Sequence, residues 1–343
     1  MRFSKGPIIV IYNDDLKIKR GSPDDIISFN AVIKTSEDVE RALKDSGFET
    51  ARIGLNSDTL IHAIKRIKES GAQIIFNLCE GFDGDPSHEK NIAALFELLD
   101  VHYTGSPPPA IDLTSDKWKT KQILTQDNIP TPKGISINTI SNLQSSIFDL
   151  RFPLIVKPLS EDGSIGIDRN SVVPDIRMLK NKIEYILDTY RQPAMVEEYI
   201  DGRELDVSLI GNSEPFILPI SEIDYSRISP DAPKILCYTS KWIKESDIYR
   251  LTPSISPADI PDDIEKNIKE TALKTFEITG CRDYARVDIR LSKENIPFVL
   301  EVNANPDISA DAGIAKSANA AGWSYNDLIK NILGAAMKRA KWT

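Results

Sequence analysis

Two short stretches near the C-terminus decide the fold, Arg286-Val-Asp288 and Glu301-Val-Asn303. They lie in segments with the composition of β-strands, 284–290 and 296–303, and the polar turn 292–295 separates them. Side chains alternate between the two faces of a strand, so the outer residues of each stretch point the same way. The sequence therefore predicts a hairpin that brings two carboxylates, an amide and a guanidinium to one patch.

The chemistry of this patch suits a divalent cation. Carboxylate and amide oxygens, without histidine or cysteine, are ligands for Mg²⁺ rather than zinc. An arginine beside them suits a phosphate or a developing oxyanion. The patch is either a metal site or the solvated face of a hairpin with ordinary ion pairs. A buried sheet, where clustered carboxylates need a counter-charge, favours the metal. The apolar residues that indicate such a sheet are Val287, Ile289, Val299, Leu300 and Val302.

The bulk composition is that of a soluble globular protein. The 343 residues are 41% hydrophobic and 27% charged, and the length allows two or three domains. A net charge of −9 argues against a general nucleic-acid binder. The first apolar run, 7–12, is too short for a signal peptide or a membrane span. Three scattered cysteines without a CxxC pair favour buried free thiols and a cytoplasmic setting.

The first hundred residues alternate strand and helix, with strands at 7–12, 48–55 and 73–78. Between them, helices are predicted at 35–46 and 58–70. The first of these is predicted from a threonine and an aspartate at capping-box spacing, with a glycine after its end. This rhythm predicts a parallel sheet with helices on its faces. Ligands of such sheets collect at the carboxyl ends of the strands, where polar loops follow.

The rest of the chain reads as an α+β region of shorter strands and single helices. The proline-rich segment 106–109 is typical of a domain boundary. Residues 224–257 have weak periodicity and several prolines and serines. A loop of that length within a compact domain is usually functional, often as a lid. We place the candidate lid at 239–250.

Phosphate-binding features occur, although the common nucleotide motifs are absent. The sequence has no P-loop, no glycine motif of a dinucleotide fold, no GxSxG elbow and no HExxH. Lys157 ends an apolar strand, and the loop 160–166 that follows offers backbone amides and the Ser164 hydroxyl to a phosphate. Glu197 and Glu204 lie at strand ends, where carboxylates can bind an adenine amino group and ribose hydroxyls. Taken singly, each is more often an ordinary loop or edge-strand residue.

Taken in order, these features resemble the ATP-grasp superfamily, and within it the D-alanine–D-alanine ligases. The resemblance runs from about Asn77 to the end of the chain. Several motifs in the same order are more specific than any one of them. They are Tyr103-Thr-Gly-Ser106, Ser115-Asp-Lys117, Pro153-Leu-Ile-Val-Lys157-Pro158, Gly163-Ser-Ile-Gly166, Val196-Glu-Glu-Tyr-Ile200, Gly280-Cys281, Arg286-Val-Asp288, Leu300-Glu-Val-Asn303 with Pro306, and Ala321-Gly-Trp-Ser-Tyr325.

The resemblance implies a mixed α/β and α+β fold of three domains. Residues 1–112 would form a Rossmann-like, pre-ATP-grasp domain with a parallel sheet. Residues 113–200 would form a small central lid domain. Residues 201–343 would form a domain with an antiparallel sheet and the metal site. The family's frequent dimers make a homodimer the expectation by analogy.

The resemblance also implies roles for individual residues. Asp288, Glu301 and Asn303 would bind two Mg²⁺ ions, for which Mn²⁺ is the alternative. Lys241, on a mobile loop, would contact a phosphate. Arg286 would stabilise an acyl phosphate and a tetrahedral intermediate. The remaining residues would bind ATP, and they are Lys117, Lys157, Gly163, Ser164, Glu197, Glu198, Tyr199, Ile200 and Glu204.

Departures from the ligase pattern concentrate around the substrates. The ligases carry an N-terminal glutamate with no clear counterpart here, and their His–Gly pair is replaced by Glu80 and a glycine. Ala312 stands where they have a serine, and Asp307 and Asp311 add negative charge. The implied substrate cleft is formed by 13–16, 80–85 and 307–313, with Glu80, Asp307 and Asp311 as candidate substrate contacts.

These departures imply an ATP-dependent ligase with altered substrates. It would join an amino-acid-like carboxylate to an amine through an acyl phosphate, with small molecules rather than nucleic acid or a membrane as partners. A cationic or polyhydroxylated amine would suit the added carboxylates. The alternatives are a D-alanine–D-alanine ligase proper, an ATP-grasp phosphotransferase, and a nucleotide-binding regulator without turnover.

Overall fold

The computed structural model describes residues 6–15, 17–141 and 143–341 and contains three sheets. The first sheet is parallel, in the order β2-β1-β3-β4. This confirms the parallel sheet expected from the alternation of strands and helices. Its strands are β1 (Ile8–Asn13), β2 (Thr50–Leu55), β3 (Ile74–Leu78) and β4 (His102–Tyr103). The helices of this part are α1 (Ile26–Asp45), α2 (Leu60–Ser70), α3 (Glu89–Leu98) and α4 (Pro108–Thr114).

Helix α1 begins nine residues before the predicted start, so the prediction of a cap at Thr35 was wrong. The Thr35 hydroxyl donates to the Ala31 carbonyl at 3.2 Å, inside the helix. The true start follows a short 3₁₀ turn, where the Ser22 amide donates to Asp25 Oδ2 at 2.7 Å. Capping-box spacing therefore occurs twice in this stretch, at Ser22 and Asp25 and again at Thr35 and Asp38. Only the first pair lies at the start of a helical segment.

The second sheet is antiparallel, in the order β5-β8-β6-β7. Together with one long helix it has an apolar core of its own. Helix α5 (Lys117–Gln126) precedes it. Its elements are β5 (Gly134–Ile137), α6 (Leu143–Ser146), β6 (Leu154–Pro158), β7 (Val172–Val173), α7 (Ile176–Tyr190) and β8 (Ala194–Glu198).

The third sheet is antiparallel, in the order β12-β11-β9-β13-β14, with β10 paired to β9. The strands are β9 (Gly202–Gly211), β10 (Phe216–Ile217), β11 (Ser221–Ile223), β12 (Ser254–Ile255), β13 (Asp283–Ser292) and β14 (Pro297–Asn303). The helices are α8 (Tyr238–Trp242), α9 (Asp247–Leu251), α10 (Asp262–Ile278), α11 (Gly313–Ala320) and α12 (Tyr325–Arg339). The region 224–257, which its weak periodicity predicted to be an irregular loop, thus contains the short helices α8 and α9 and the strand β12.

The first and third sheets share a core, which fixes where their strand ends meet. Ile9 and Ile11 belong to the same apolar cluster as Val287 and Val299. This packing brings the end of β3 beside the residues after β14. The three sheets lie within the three predicted ranges, and the boundaries after residues 112 and 200 remain our proposal. Among the described residues, no helix is long and apolar enough to cross a membrane.

Candidate active site

Three neighbouring strands place charged side chains on one face of the third sheet. Arg286 pairs with Asn303, and Asp288 with Glu301, which confirms the predicted hairpin. On the other side of β13, Asp206 of β9 pairs with Asp288. Directly opposite residues project to the same face, so three carboxylates form one row across the strands. Asp206, Asp288 and Glu301 are called the carboxylate row below.

A β-bulge in β14 shapes this face. Glu301 pairs with Asp288, whereas the next pair is Val299 with Ile289, so Leu300 has no partner across the ladder. Leu300 is therefore only partly buried, in contrast to the fully buried Val299. The buried sheet expected from the flanking apolar residues is present, and Leu300 alone among them is only partly buried, because a bulge re-aims side chains locally.

The charges on this face are only partly compensated. Arg286 donates through Nε to Asp288 Oδ1 at 2.6 Å and through Nη2 to Oδ2 at 2.8 Å. Asp206 Oδ1 lies 4.0 Å from the same Nε. Burial and the neighbouring Asp288 raise the pKa of Asp206, while burial raises the pKa of Glu301 although Lys117 lowers it. A surplus of negative charge among hard oxygen donors fits a divalent cation.

The donor set for such a cation mixes carboxylates with an amide. Among the described residues, no three His, Cys, Asp or Glu side chains are gathered as metal ligands. The predicted set holds two carboxylates, Asp288 and Glu301, and the oxygen of Asn303 beside them in register. The chemistry of these donors fits Mg²⁺, which keeps several ligands from water and phosphate.

Lys117 links the carboxylate row to the phosphate loop. It is the first residue of α5, and its Nζ donates to the Glu161 carbonyl at 2.6 Å. The same atom lies 3.2 Å from Asp162 Oδ1 and 3.5 Å from Glu301 Oε2. Although burial lowers it, the pKa of Lys117 is raised by Glu301 and Asp162. A fixed ammonium therefore lies between the loop and the row.

A second cationic centre surrounds Glu197 in the central sheet. Its Oε2 lies 2.7 Å from Lys157 Nζ and its Oε1 lies 2.7 Å from Lys121 Nζ. Lys121 also donates to the Thr131 hydroxyl and the Pro132 carbonyl, at 2.6 Å each. Burial raises the pKa of Glu197, but the two lysines outweigh it and bring the value to about 2. Lys121 was not predicted, and its signal is the four-residue spacing from Lys117 along one helix.

The other predicted nucleotide residues lie around the adjoining strand ends. The Glu198 side chain points to the opposite face from Glu197 and binds Arg151 through two contacts, at 3.2 and 3.1 Å. Glu204 Oε2 accepts from the Tyr225 hydroxyl at 2.6 Å and from Arg290 Nη2 at 2.9 Å. Tyr199 and Ile200 form the link between β8 and β9.

The candidate lid is docked on the glycine loop. Gly163 and Ser164 have φ of 64° and 62°, a conformation that suits the glycine and is rare for the serine. Trp242 Nε1 donates to the Gly163 carbonyl at 2.8 Å, and the Ser164 hydroxyl donates to the Leu236 carbonyl at 2.8 Å. Lys241, whose Nζ lies 5.6 Å from the centre of the Trp242 ring, is close enough to Glu80 and Asp206 to lower the pKa of both.

The predicted substrate residues Glu80 and Asp307 come together, whereas Asp311 does not join them. The Glu80 side chain is accessible from the cleft, yet surrounding protein and Asp307 raise its pKa to about 8, while Lys241 lowers it. Asp311 is exposed and pairs with Lys244 of the lid. Leu16, also predicted for this cleft, lies outside the described residues.

Glu89 is a third carboxylate of this cleft that sequence analysis missed. It accepts from Asn305 Nδ2 at 3.1 Å, and the same nitrogen donates to the Cys79 carbonyl at 3.0 Å. Burial raises the pKa of Glu89 well above its usual range, and the neighbouring Asp162 and Glu80 add to this. Glu80, Glu89 and Asp307 are called the acidic cleft below.

Comparisons with known proteins give one consistent picture. A family model described as the D-Ala–D-Ala ligase C-terminus matches residues 127–334. The D-alanine–D-alanine ligase of Pelotomaculum thermopropionicum is 32% identical, over 89% of this chain and 92% of that enzyme. The crystal structure of D-alanine–D-alanine ligase from Bacillus anthracis complexed with ATP matches with a TM-score of 0.74 and 23% identity, over 98% of this chain and 99% of that chain. The crystal structure of the VanG D-Ala:D-Ser ligase from Enterococcus faecalis matches with a TM-score of 0.73 and 18% identity, over 97% of this chain and 100% of that chain. The chain has the fold of these two structures.

Proposed function

The chain belongs to the D-alanine–D-alanine ligase family of ATP-grasp enzymes, and we propose that it joins the carboxylate of one amino-acid-like substrate to the amine of another, with a substrate pair other than two D-alanines. As a member of this family it is an ATP-dependent carbon–nitrogen ligase. The structural neighbour named a D-Ala:D-Ser ligase supports the view that this fold accommodates different amino acids.

The observation that supports the site assignment is the position of Lys117, in contact with both the phosphate loop and the carboxylate row. In the proposed reaction, a substrate carboxylate oxygen attacks the γ-phosphorus of ATP, and ADP leaves. The amine then attacks the acyl carbon, the C–O bond to phosphate breaks, and the amide forms as the amine loses a proton. Lys117, Lys157 and Lys241 would hold the phosphates, and Arg286 would stabilise the developing oxyanion.

Asp288, Glu301 and Asn303 would hold Mg²⁺, with two ions as our proposal and Mn²⁺ as the alternative. The bound cation would offset the charge of the phosphates and of the incoming carboxylate. Gly163 and Ser164 would contact the phosphates through the loop. The lid, closed by the bond from Trp242 to Gly163, would keep water from the acyl phosphate.

The adenosine half of ATP would lie along β8 and β9. Glu197 would accept from the adenine amino group while the two lysines hold its carboxylate in place. Glu198, Tyr199 and Ile200 would contribute backbone groups, since the Glu198 side chain is held by Arg151. Glu204 would bind the ribose hydroxyls.

The acidic cleft supports a substrate with a cationic group beyond its α-ammonium. Asp307 raises the pKa of Glu80, and Glu80 raises that of Glu89, while Lys241, the cation that lowers the pKa of Glu80, would be engaged by phosphate during turnover. Clustered carboxylates without counter-charge are costly, and an ammonium from the substrate would relieve this cost. Asp311, at the rim of the cleft, would act on the substrate indirectly, through its ion pair with Lys244 of the lid.

This substrate assignment predicts a preference for diamino acids. The kcat/KM for ornithine should exceed that for norleucine, its uncharged counterpart, by at least about tenfold, because one charge pair of about 1.4 kcal/mol suffices for that ratio. Glu80→Gln should reduce the ratio at least about fivefold. Phosphate release with each amino acid, as carboxylate or amine partner, measures both effects. Glu69→Gln, an exposed change on α2, is the matched control and should leave the ratio unchanged. Equal kcat/KM for the two amino acids would contradict a cationic substrate.

The ligase assignment itself is tested with ATP, Mg²⁺ and a panel of amino acids of both configurations. Release of phosphate together with an amide product, identified by mass spectrometry, is the expected result. A phosphorylated substrate without an amide would favour the phosphotransferase, and turnover of D-alanine alone would favour the D-alanine–D-alanine ligase. No release above the no-substrate control with any pair would contradict the proposal.

Three broader expectations remain proposals. Cys79, Cys237 and Cys281 are all free and buried, which supports a reducing cytoplasmic setting. A homodimer is proposed by analogy with the family, and light scattering on the purified protein tests it. Nucleic acid is not a proposed partner, because the chain carries a net charge of −9.

A further inference from the structure

Asp206 is the member of the carboxylate row that is not among the proposed metal ligands. It lies on β9 directly opposite Asp288. The nearest cationic atom is Arg286 Nε, 4.0 Å from Oδ1. The start of α11 approaches from the other side, since a Cβ at Gly313 would lie 3.3 Å from Oδ2. Asp206 thus lies close to Arg286, although this arginine forms its hydrogen bonds with Asp288.

Arg286 uses both oxygens of Asp288, the residue proposed to bind the metal. The two bonds, at 2.6 and 2.8 Å, form a bidentate fork. A metal ion that takes an oxygen of Asp288 must weaken this fork. Arg286 is only 9% exposed, and a buried guanidinium that loses its counter-charge is strongly destabilised. A second acceptor for this arginine would offset that loss when the metal binds.

We propose that Asp206 is a positioning residue that accepts Arg286 from Asp288 when metal and nucleotide bind. The proposal rests on the metal site assigned under the proposed function. A shift of about 1 Å brings Nε from 4.0 Å to the distance of a charge-assisted hydrogen bond. Asp288 is then free to bind the metal, and Arg286 stays on the site face, where it meets the acyl phosphate.

A simpler role for Asp206 must be separated from this one. Its negative charge attracts any cation nearby, so Asp206→Asn weakens metal binding whether or not Arg286 is involved. A double-mutant cycle with Arg286→Lys isolates the coupled part, because lysine keeps the positive charge but cannot form the fork. A purely electrostatic role gives the same loss in both backgrounds. The proposed exchange gives a larger loss when arginine is present.

The experiment measures Mn²⁺ binding by electron paramagnetic resonance, in the presence of a non-hydrolysable ATP analogue. In the wild-type background Asp206→Asn should raise the Kd at least about tenfold, and in the Arg286→Lys background the factor should be at least about fivefold smaller. Asp206→Glu, which retains the carboxylate, should recover most of the affinity. Thermal unfolding of each variant verifies that it is folded.

The outcomes separate this inference from the proposed metal site. Equal factors in the two backgrounds, or an unchanged Kd for Asp206→Asn, would overturn the exchange while leaving the metal site intact. Failure of the wild-type protein to bind Mn²⁺ with the analogue would instead overturn the metal site itself. Asp201→Asn, at an exposed pair with Lys293, is the matched control and should leave the Kd within about twofold.

Discussion

Replacing Glu301 with glutamine is expected to lower kcat for phosphate release about 10³-fold, because a lost metal contact costs several kcal/mol of transition-state stabilisation. Glu301 is the proposed metal ligand that also lies 3.5 Å from Lys117. The substitution keeps the shape of the side chain but removes the negative charge that interacts with both the metal ion and the Lys117 ammonium. The midpoint of thermal unfolding should change by no more than a few degrees, about the effect of 1 kcal/mol.

Glu294→Gln is the matched control for this prediction, since it removes the same charge from the exposed turn of the same hairpin. It should retain the parent rate. The measurement is phosphate release at saturating ATP and Mg²⁺, with an amino-acid pair that the parent enzyme accepts. A Glu301→Gln enzyme within about threefold of the parent rate would rule out Glu301 as a metal ligand.

Replacing Glu197 with alanine should destabilise the fold by about 3–5 kcal/mol, because two buried lysines lose the charge they share. Glu197 is 1% exposed and lies 2.7 Å from both Lys121 and Lys157. Urea unfolding measures the loss. Glu198→Ala removes the neighbouring carboxylate, whose partner Arg151 is 82% exposed, and should cost at most about 1 kcal/mol. Equal losses for the two variants would contradict the assigned ion pairs.

The same contacts predict how stability depends on pH. The folded pKa of Glu197 is about 2, below the usual value of 4.5. A carboxyl group with a depressed pKa contributes stability that is fully present above its unfolded pKa and is lost as pH falls through the folded value. Stability from this group should therefore decline between about pH 5 and pH 2. In Glu197→Gln that component of the acid titration should be absent, as urea unfolding at several pH values would show.

The features that sequence analysis found are those that local rules determine. The alternation of side chains and the short turn 292–295 suffice to pair Arg286 with Asn303 and Asp288 with Glu301. Glycine and serine after Lys157 likewise predict a loop, and Gly163 in this loop has a positive φ of 64°.

The features that it missed depend on contacts between distant segments. Asp206 lies in β9, and nothing local shows that this strand pairs with β13. Glu89 enters the cleft only because Asn305, far along the chain, binds it. Lys121 becomes significant only when α5 packs beneath Glu197. Partners of this kind are set by tertiary packing, which a single sequence does not specify.

The central claim is that this site activates a carboxylate as an acyl phosphate, and oxygen transfer tests it most directly. A substrate acid that supports phosphate release is labelled with ¹⁸O in its carboxylate, and the released phosphate is analysed by mass spectrometry. The carboxylate oxygen that attacks ATP stays with phosphorus when the amine displaces it. One ¹⁸O in each released phosphate is the predicted result, and phosphate that contains only the oxygen of water and ATP would contradict the mechanism.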